Sequence, residues 1–124
     1  MSGNNNYLLD TNIVLYLLNG DKVLAGIIDD KIPYLSFITE MELLCYRKLS
    51  TAYEAKVKTF LDNCYIIEMN PTIKMLAIKI RKTYGLKLPD SIIAATGEHL
   101  DIPTLTADTE FNKLKSLNIL QYKK

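Results

Sequence analysis

The stretch that decides the fold is Tyr7-Leu8-Leu9-Asp10, followed by the turn Thr11-Asn12. Three apolar residues run without alternation into one carboxylate, which is typical of a strand buried on both faces of a parallel sheet. Asp10 then lies at the carboxyl end of that strand, where open α/β sheets place their ligands. The alternative is that Asp10 or Asn12 caps the helix that follows.

Length and composition indicate one globular domain. The chain has 124 residues, 48% of them hydrophobic and 23% charged, which is enough for a core without disulfides. We expect a single domain over residues 1–124, with residues 1–6 as a flexible lead-in. The formal charge is +1, which argues against binding nucleic acid through bulk positive charge but permits a local basic patch.

Cellular location follows from what the sequence lacks. The first six residues have neither the basic nor the apolar region of a signal peptide, and no apolar run reaches the length of a membrane span. Cys45 and Cys64 lie on separate predicted elements without CxxC spacing, which favours reduced thiols but leaves one disulfide possible. We therefore expect a cytoplasmic protein without a membrane partner.

Strands and helices alternate along the chain. Strands are predicted at 7–10, 32–36, 65–68, 102–106 and 118–122, and helices at about 12–19, 21–30, 39–48, 51–63, 71–84, 91–100 and 111–116. This alternation predicts a three-layer α/β/α sandwich with a mostly parallel central sheet.

Four carboxylates fall near the carboxyl ends of the predicted strands. Asp10 follows the first strand and Glu42 lies in the first turn of the helix after the second. Asp90 opens the helix at 91–100, and Asp108 follows the fourth strand. Because parallel strands end at one edge, these acids are expected to converge, and their mutual repulsion calls for a cation. Oxygen ligands without Cys or His fit Mg²⁺ or Mn²⁺ rather than zinc.

Each acid also has a purely structural interpretation. Thr39 and Glu42 have the spacing of a capping box, Asp90 is a possible helix N-cap, and Asp108 a possible turn initiator. The only histidine, His99, falls late in a helix, so we expect a structural role for it.

Segments 8–12, 36–43, 88–96 and 105–111, in this order and spacing, resemble those of the PIN-domain nucleases, and among these most closely the small VapC-type toxins. The resemblance implies a PIN-like fold and a metal-dependent endoribonuclease. It further implies an antitoxin partner and a homodimer. Asp10, Glu42, Asp90 and Asp108 match the catalytic acids that hold Mg²⁺ or Mn²⁺.

Polar neighbours of these acids match supporting positions of the family. Thr11, Asn12, Ser36 and Thr106 are expected to support the acidic site. Glu110 competes with Asp108 for the fourth place, and the number of metal ions, one or two, stays open. Attack by a metal-activated water is the simplest route, because no side-chain nucleophile is evident.

RNA must still reach an acidic cleft. The densest basic stretch contains Lys79, Arg81, Lys82 and Lys87 and leads directly to Asp90. These residues either grip phosphates or form the solvated face of a helix.

Two rival functions follow from the same residues. One is a catalytically inactive PIN-like module that binds RNA or protein. The other is a phosphotransferase of the haloacid-dehalogenase type, which also uses an Asp after the first strand. That chemistry normally needs a second Asp two residues later, where this chain has Asn12.

Overall fold

The computed structural model describes residues 5–47 and 49–124. The strands are β1 (Asn6–Leu9), β2 (Ile32–Ser36), β3 (Tyr65–Ile67), β4 (Thr104–Thr106) and β5 (Ile119–Gln121). The helices are α1 (Thr11–Leu18), α2 (Lys22–Ile28), α3 (Phe37–Leu44), α4 (Thr51–Asp62), α5 (Pro71–Tyr84) and α6 (Leu88–Leu100), with a 3₁₀ helix at Thr109–Lys113.

The five strands form one parallel sheet in the order β3-β2-β1-β4-β5. The chain moves outward from β1 through β2 to β3 and then returns to the other side of β1 as β4. The strand order therefore reverses between β1 and β4, and such a switch point leaves a crevice at the carboxyl ends of the strands. The predicted parallel α/β sheet is confirmed.

Adjacent residues of the central strand pack into different layers. Leu8 is fully buried with α5 and α6 on one face, and Leu9 is fully buried with α1 and α4 on the other. The same division separates Tyr34 from Leu35 in β2. Because successive strand side chains point to opposite faces, an apolar run without alternation is what a sheet covered on both sides requires.

Two helices begin earlier than the sequence predicts. Ser36 ends β2 and also caps α3, accepting a hydrogen bond from the Ile38 amide at 3.1 Å, so no loop separates strand from helix. Helix α6 begins at Leu88 and takes Pro89 into its first turn, where a missing N–H costs nothing. The predicted starts at 39 and 91 are therefore wrong.

The ends of the chain also differ from expectation. Strand β1 already includes Asn6, which pairs with Ile32, so the expected flexible lead-in does not extend to this residue. Of the rest of that lead-in, Asn5 is described and residues 1–4 lie outside the described residues. The short helix after β4 is a 3₁₀ turn that starts at Thr109, two residues before its predicted start.

Two further expectations concern the cysteines and the length of the apolar helices. Cys45 and Cys64 are both free thiols, as expected, and burial raises the pKa of Cys64 to about 12. Among the described residues no single helix is long and apolar enough to cross a membrane; α1 and α2 reach that length only as a pair bent by 118°.

Candidate functional site

A pocket of about 460 Å³ lies at the carboxyl ends of β1 and β4, at the switch point of the sheet. We call it the acidic pocket. Its lining residues are Asp10, Thr11, Asn12, Glu42, Cys45, Tyr46, Asp90 and Asp108. The four carboxylates singled out in the sequence thus come together from four separate segments of the chain.

Asp10 is the most deeply buried of these acids, with 4% of its surface exposed. It occupies the N-cap position of α1, and Oδ1 accepts the Thr11 amide at 2.8 Å. Oδ2 accepts the Thr106 hydroxyl at 2.7 Å. Burial is the main cause that raises the pKa of Asp10, and these two hydrogen bonds oppose it. The capping interpretation is correct for its position, but the carboxylate is also tied across the sheet to β4.

Glu42 does not close a capping box. It lies in the second turn of α3, and its Oε1 accepts the Thr11 hydroxyl at 2.5 Å. Thr39, the proposed cap residue, is fully buried inside the helix, and its Oγ1 lies 3.1 Å from Thr11 Oγ1. Thr11 therefore links α1 to α3 at the pocket wall, and the sequence-based placement of Glu42 in the first turn is wrong.

Asp108 follows β4 and begins the 3₁₀ helix. Its Oδ1 accepts the Glu110 amide at 2.9 Å, and its own amide donates to the Thr106 hydroxyl at 3.0 Å. Thr106 thereby connects Asp108 to Asp10. Glu110 does not line the pocket; its Oε1 pairs with Lys113 Nζ at 2.7 Å on the surface.

Asp90 is the acid with the least support from the protein. It lies in the first turn of α6, whereas Lys87 occupies the N-cap position, so the N-cap interpretation of Asp90 is wrong. Within the described part of the chain its half-buried carboxylate accepts no hydrogen bond. Burial is the largest cause that raises the pKa of Asp90 to about 6. The other three carboxylates of the pocket raise it further, and Lys87 lowers it.

The pocket therefore concentrates negative charge, but its side chains do not form a preassembled metal cage. Within residues 5–47 and 49–124, no group of three or more His, Cys, Asp or Glu side chains is arranged so that it could hold a metal ion. Both oxygens of Asp10 and one each of Glu42 and Asp108 are engaged by protein donors. An all-oxygen donor set of this kind suits Mg²⁺ or Mn²⁺, which bind one or two carboxylates and keep several waters.

The remaining predicted site residues differ in whether they line the acidic pocket. Ser36 is fully buried and caps α3 without lining the pocket, so it supports the site only through the helix that carries Glu42. Asn12 lines the pocket and is exposed. The basic residues Lys79, Arg81, Lys82 and Lys87 are all exposed, and Arg81 Nη1 donates to the Leu86 carbonyl at 2.7 Å.

Sequence reasoning missed two lining residues, Cys45 and Tyr46. Cys45 is the C-cap of α3 and Tyr46 follows it. They come three and four positions after Glu42, the spacing that brings side chains together along a helix such as the one predicted at 39–48. That spacing is the signal that would have identified them. The histidine, His99, does not line the pocket; its Nε2 lies 3.3 Å from Asn70 Nδ2.

The PIN domain family model matches residues 7–117. The chain belongs to the PIN domain family. The resemblance seen in the sequence is thereby confirmed. No curated protein sequence matches the chain.

Solved structures similar to this chain include several toxin–antitoxin systems. A toxin–antitoxin complex from Klebsiella pneumoniae shows 27% identity and a TM-score of 0.83, over 95% of this chain and 99% of that chain. VapBC-1 from nontypeable Haemophilus influenzae shows 24% identity and a TM-score of 0.79, over 96% and 99%. VapBC2 from Rickettsia felis, bound to a promoter DNA fragment, shows 19% identity and a TM-score of 0.78, over 95% and 99%. The last two show a shared fold.

Proposed function

We propose that this PIN-domain protein is a metal-dependent endoribonuclease that hydrolyses RNA phosphodiester bonds. The observation that carries the proposal is that four carboxylates from four segments line one pocket, where Asp90 accepts no hydrogen bond from the described residues and has a pKa raised to about 6. A cluster of this charge is costly unless a cation neutralises it. Membership of the PIN family, whose members are generally nucleases, supports the same chemistry.

The donor set fits Mg²⁺ or Mn²⁺ held by Asp10, Glu42, Asp90 and Asp108. Because Mg²⁺ is usually bound through one or two carboxylates together with water and substrate phosphate, a preformed cage of three acids is not needed. When bound, the metal neutralises the phosphate, lowers the pKa of a coordinated water and stabilises the leaving oxygen.

The protein's own contribution is to hold these oxygens in place. Thr106 and the Thr11 amide fix both oxygens of Asp10, and the Thr11 hydroxyl fixes one oxygen of Glu42. Hydrogen bonds of this supporting kind orient metal ligands and keep them basic. Water is the nucleophile in our proposal, because the thiol of Cys45 has no histidine in the pocket to activate it.

RNA binding beside an acidic pocket requires positive charge nearby. Lys87 is the best placed of the four predicted basic residues, since it is exposed at the start of α6 and acts electrostatically on Asp90. Lys79 and Lys82 extend the basic surface along α5, and Arg81 keeps its remaining guanidinium nitrogens for solvent or phosphate.

We further infer a biological role as the VapC-type toxin of a type II toxin–antitoxin pair, acting in the cytoplasm as a homodimer restrained by its antitoxin. The likeness to the Klebsiella toxin–antitoxin complex, at 27% identity, supports this role.

Cleavage of RNA by the purified protein tests the enzymatic proposal. Single-stranded or looped RNA should be cut with Mg²⁺ or Mn²⁺ and protected by EDTA, while Asp10→Asn prepared in parallel controls for contaminating nucleases. Full activity in EDTA that Asp10→Asn abolishes would refute the metal mechanism. Absence of cleavage by protein that binds RNA would instead favour the inactive binding module.

Controlled expression in a bacterial host tests the toxin role separately. Wild-type protein should arrest growth, and Asp10→Asn or Asp90→Asn at the same level should be tolerated. Harmless wild-type expression at confirmed high levels, without a co-expressed partner, would contradict the toxin role while leaving the nuclease proposal intact.

A further inference from the structure

The acidic pocket adjoins, at Tyr46, a surface that carries no carboxylate. Tyr46 also lines two neighbouring cavities, of about 690 Å³ and 420 Å³, which are built by the loop after α3 together with α1 and α4. None of the described residues that line these two cavities is acidic. We call this area the tyrosine surface; it consists of Leu15, Tyr46, Arg47, Leu49 and Tyr53.

Tyr46 presents an aromatic ring beside the acidic pocket. It is 46% exposed, and among the described residues its side chain has no hydrogen bond or ring contact. Tyr65, which is also exposed, stacks on Tyr34 with 5.1 Å between the ring centroids. Tyr53 is partly buried against the core, and its amide donates to the Ser50 hydroxyl at 3.1 Å. The tyrosine surface therefore has one ring packed against the core and one ring that is available to a ligand.

Arg47 gives the tyrosine surface a positive charge. It is exposed, directly follows Tyr46, and forms no ion pair with any described carboxylate. The carboxylates of the acidic pocket, an aromatic ring and a guanidinium group thus lie in contiguous cavities. Proteins bind single-stranded nucleic acid with the same elements, because bases stack on aromatic rings and arginine contacts phosphates.

A nucleobase fits these features better than an apolar protein segment does. An apolar segment would leave Arg47 without a counter-charge, whereas an RNA strand held at the acidic pocket brings bases and phosphates to the adjoining surface together. Stacking on a protein ring requires a base that is not already stacked in a duplex, as in single strands and loops.

We propose that Tyr46 stacks on the nucleobase next to the phosphodiester bound at the acidic pocket, with Arg47 on a neighbouring phosphate. The inference rests on the proposed endoribonuclease function and assigns Tyr46 to substrate binding rather than to hydrolysis. Because every base has a π face, Tyr46 should favour unpaired RNA without selecting one base.

Single-turnover cleavage of a fluorescent single-stranded RNA in Mn²⁺ tests this inference, because it separates binding from the chemical step. In Tyr46→Leu the protein concentration that gives the half-maximal rate should rise about tenfold, as expected for the loss of one stacked base, while the maximal rate stays near that of wild type. Tyr46→Phe and Tyr46→Trp keep a ring and should retain the wild-type value. Tyr65→Leu is the matched control, since Tyr65 is 60% exposed at the amino end of β3, whereas the acidic pocket lies at the carboxyl ends of the strands.

An abasic substitution moved along the same RNA identifies the stacked base. At one position beside the cleavage site, loss of the base should raise the half-maximal concentration for wild type and have no further effect in Tyr46→Leu. The fluorescence of 2-aminopurine at that position should fall on saturation with wild type and not with Tyr46→Leu. Arg47→Gln should weaken binding to all these RNAs equally and lower the slope of log Kd against log salt by about one.

Three results would contradict the base-stacking role. An unchanged half-maximal concentration in Tyr46→Leu, on RNA that wild type cuts, would overturn this inference and leave the proposed function intact. If that variant also changed the sedimentation coefficient of the protein, the tyrosine surface would be an interface between copies of the chain instead. Additive losses from Tyr46→Leu and the abasic substitution at every position would show that the ring does not contact a base. Failure of wild type to cut any RNA in Mn²⁺ would refute the proposed function itself and, with it, this inference.

Discussion

Two aspartates begin neighbouring helices of this protein in opposite environments. Asp21 caps α2 in the ordinary way: its Oδ1 accepts the Leu24 amide at 3.0 Å, and the Tyr122 hydroxyl lies 2.9 Å from Oδ2. The bond from Leu24 is the main cause that lowers the pKa of Asp21. Asp10 caps α1, yet burial raises its pKa, and three further carboxylates share its pocket.

Both aspartates cap helices, so position in the helix does not distinguish a structural carboxylate from a functional one. The direction of the pKa shift and the presence of neighbouring carboxylates do distinguish them. A cap chosen for stability accepts donors that favour its charged form and has no like charge beside it. Asp10 departs from that rule because like charges lie beside it, and Asp90, which is not a cap, has like charges beside it as well. Carboxylates with a raised pKa concentrate in active sites.

The largest expected effect is on catalysis. Asp10→Asn should lower the rate of RNA cleavage by about 10²–10³-fold or more, because it removes a charge at the reaction centre. Asp21→Asn, the matched control, should keep wild-type activity, since it changes the same residue type at the equivalent position of α2. Single-turnover cleavage of one fluorescent RNA by both variants makes the comparison. Equal losses would show that the two aspartates do not differ in function.

A smaller loss is expected when the support of Asp10 is removed. Thr106→Val keeps the β-branched shape but deletes the hydroxyl that donates to Asp10 Oδ2. Supporting residues of this kind typically contribute about 10–100-fold to metal affinity or activity. The rate should recover in part at high Mn²⁺ if the loss is one of affinity. A wild-type rate at limiting Mn²⁺ would mean that this hydrogen bond does not position the site.

The pH dependence of stability should have opposite signs for the two kinds of aspartate. The folded state favours the neutral form of Asp90, whose pKa rises from 3.8 to about 6. The metal-free protein therefore loses stability as the pH rises through this range. Asp90→Asn should melt higher than wild type at pH 7 in EDTA, and this difference should vanish near pH 4.

Asp21 should have the opposite effect on the pH dependence of stability. Its lowered pKa means that it stabilises the fold above its ordinary pKa and that this contribution is lost as the pH falls. Asp21→Asn should consequently melt lower than wild type at pH 7 and approach it in acid. If the melting temperatures of Asp90→Asn and Asp21→Asn changed with pH in the same way, the opposite pKa shifts assigned to Asp90 and Asp21 would be contradicted.

The smallest effect is expected at Glu110. Its carboxylate pairs with Lys113 on the surface and does not line the acidic pocket. Glu110→Gln should therefore cost at most about 1 kcal/mol of stability and leave RNA cleavage intact. Asp108→Asn is the matched change two residues earlier and should abolish cleavage. Loss of activity in Glu110→Gln with retention in Asp108→Asn would reverse the assignment of the fourth acid.

The sequence predicted the sheet well because its signal is local. The apolar runs at 7–9 and 65–67 and the stop at Gly85, whose φ is 75°, depend only on neighbouring residues. Strand direction predicts that Asp10 and Asp108 converge, because parallel strands share one carboxyl edge. Glu42 and Asp90 lie on helices, so strand direction alone does not place them.

The sequence was a poorer guide to the helix starts and to the exact lining of the pocket. Ser36 is both the last residue of β2 and the cap of α3, so the expected loop does not exist. The predicted start of α6 at Ser91 leaves Pro89 outside the helix, although the first turn of a helix accepts proline. The bond from Thr11 to Glu42 spans 31 positions, and no local pattern distinguishes it from a capping box.

Metal-dependent stability tests the central claim, that the acidic pocket binds a divalent cation, most directly. Thermal unfolding of wild type, Asp90→Asn and Asp21→Asn is followed in EDTA and across a Mn²⁺ titration at fixed ionic strength. Mn²⁺ at one hundred times Kd should stabilise wild type by about 2.7 kcal/mol. Asp21→Asn should show the same gain, and Asp90→Asn should lose most of it while melting higher than wild type in EDTA. Identical Mn²⁺-dependent shifts in all three proteins would contradict the assignment of Asp90 to a metal site.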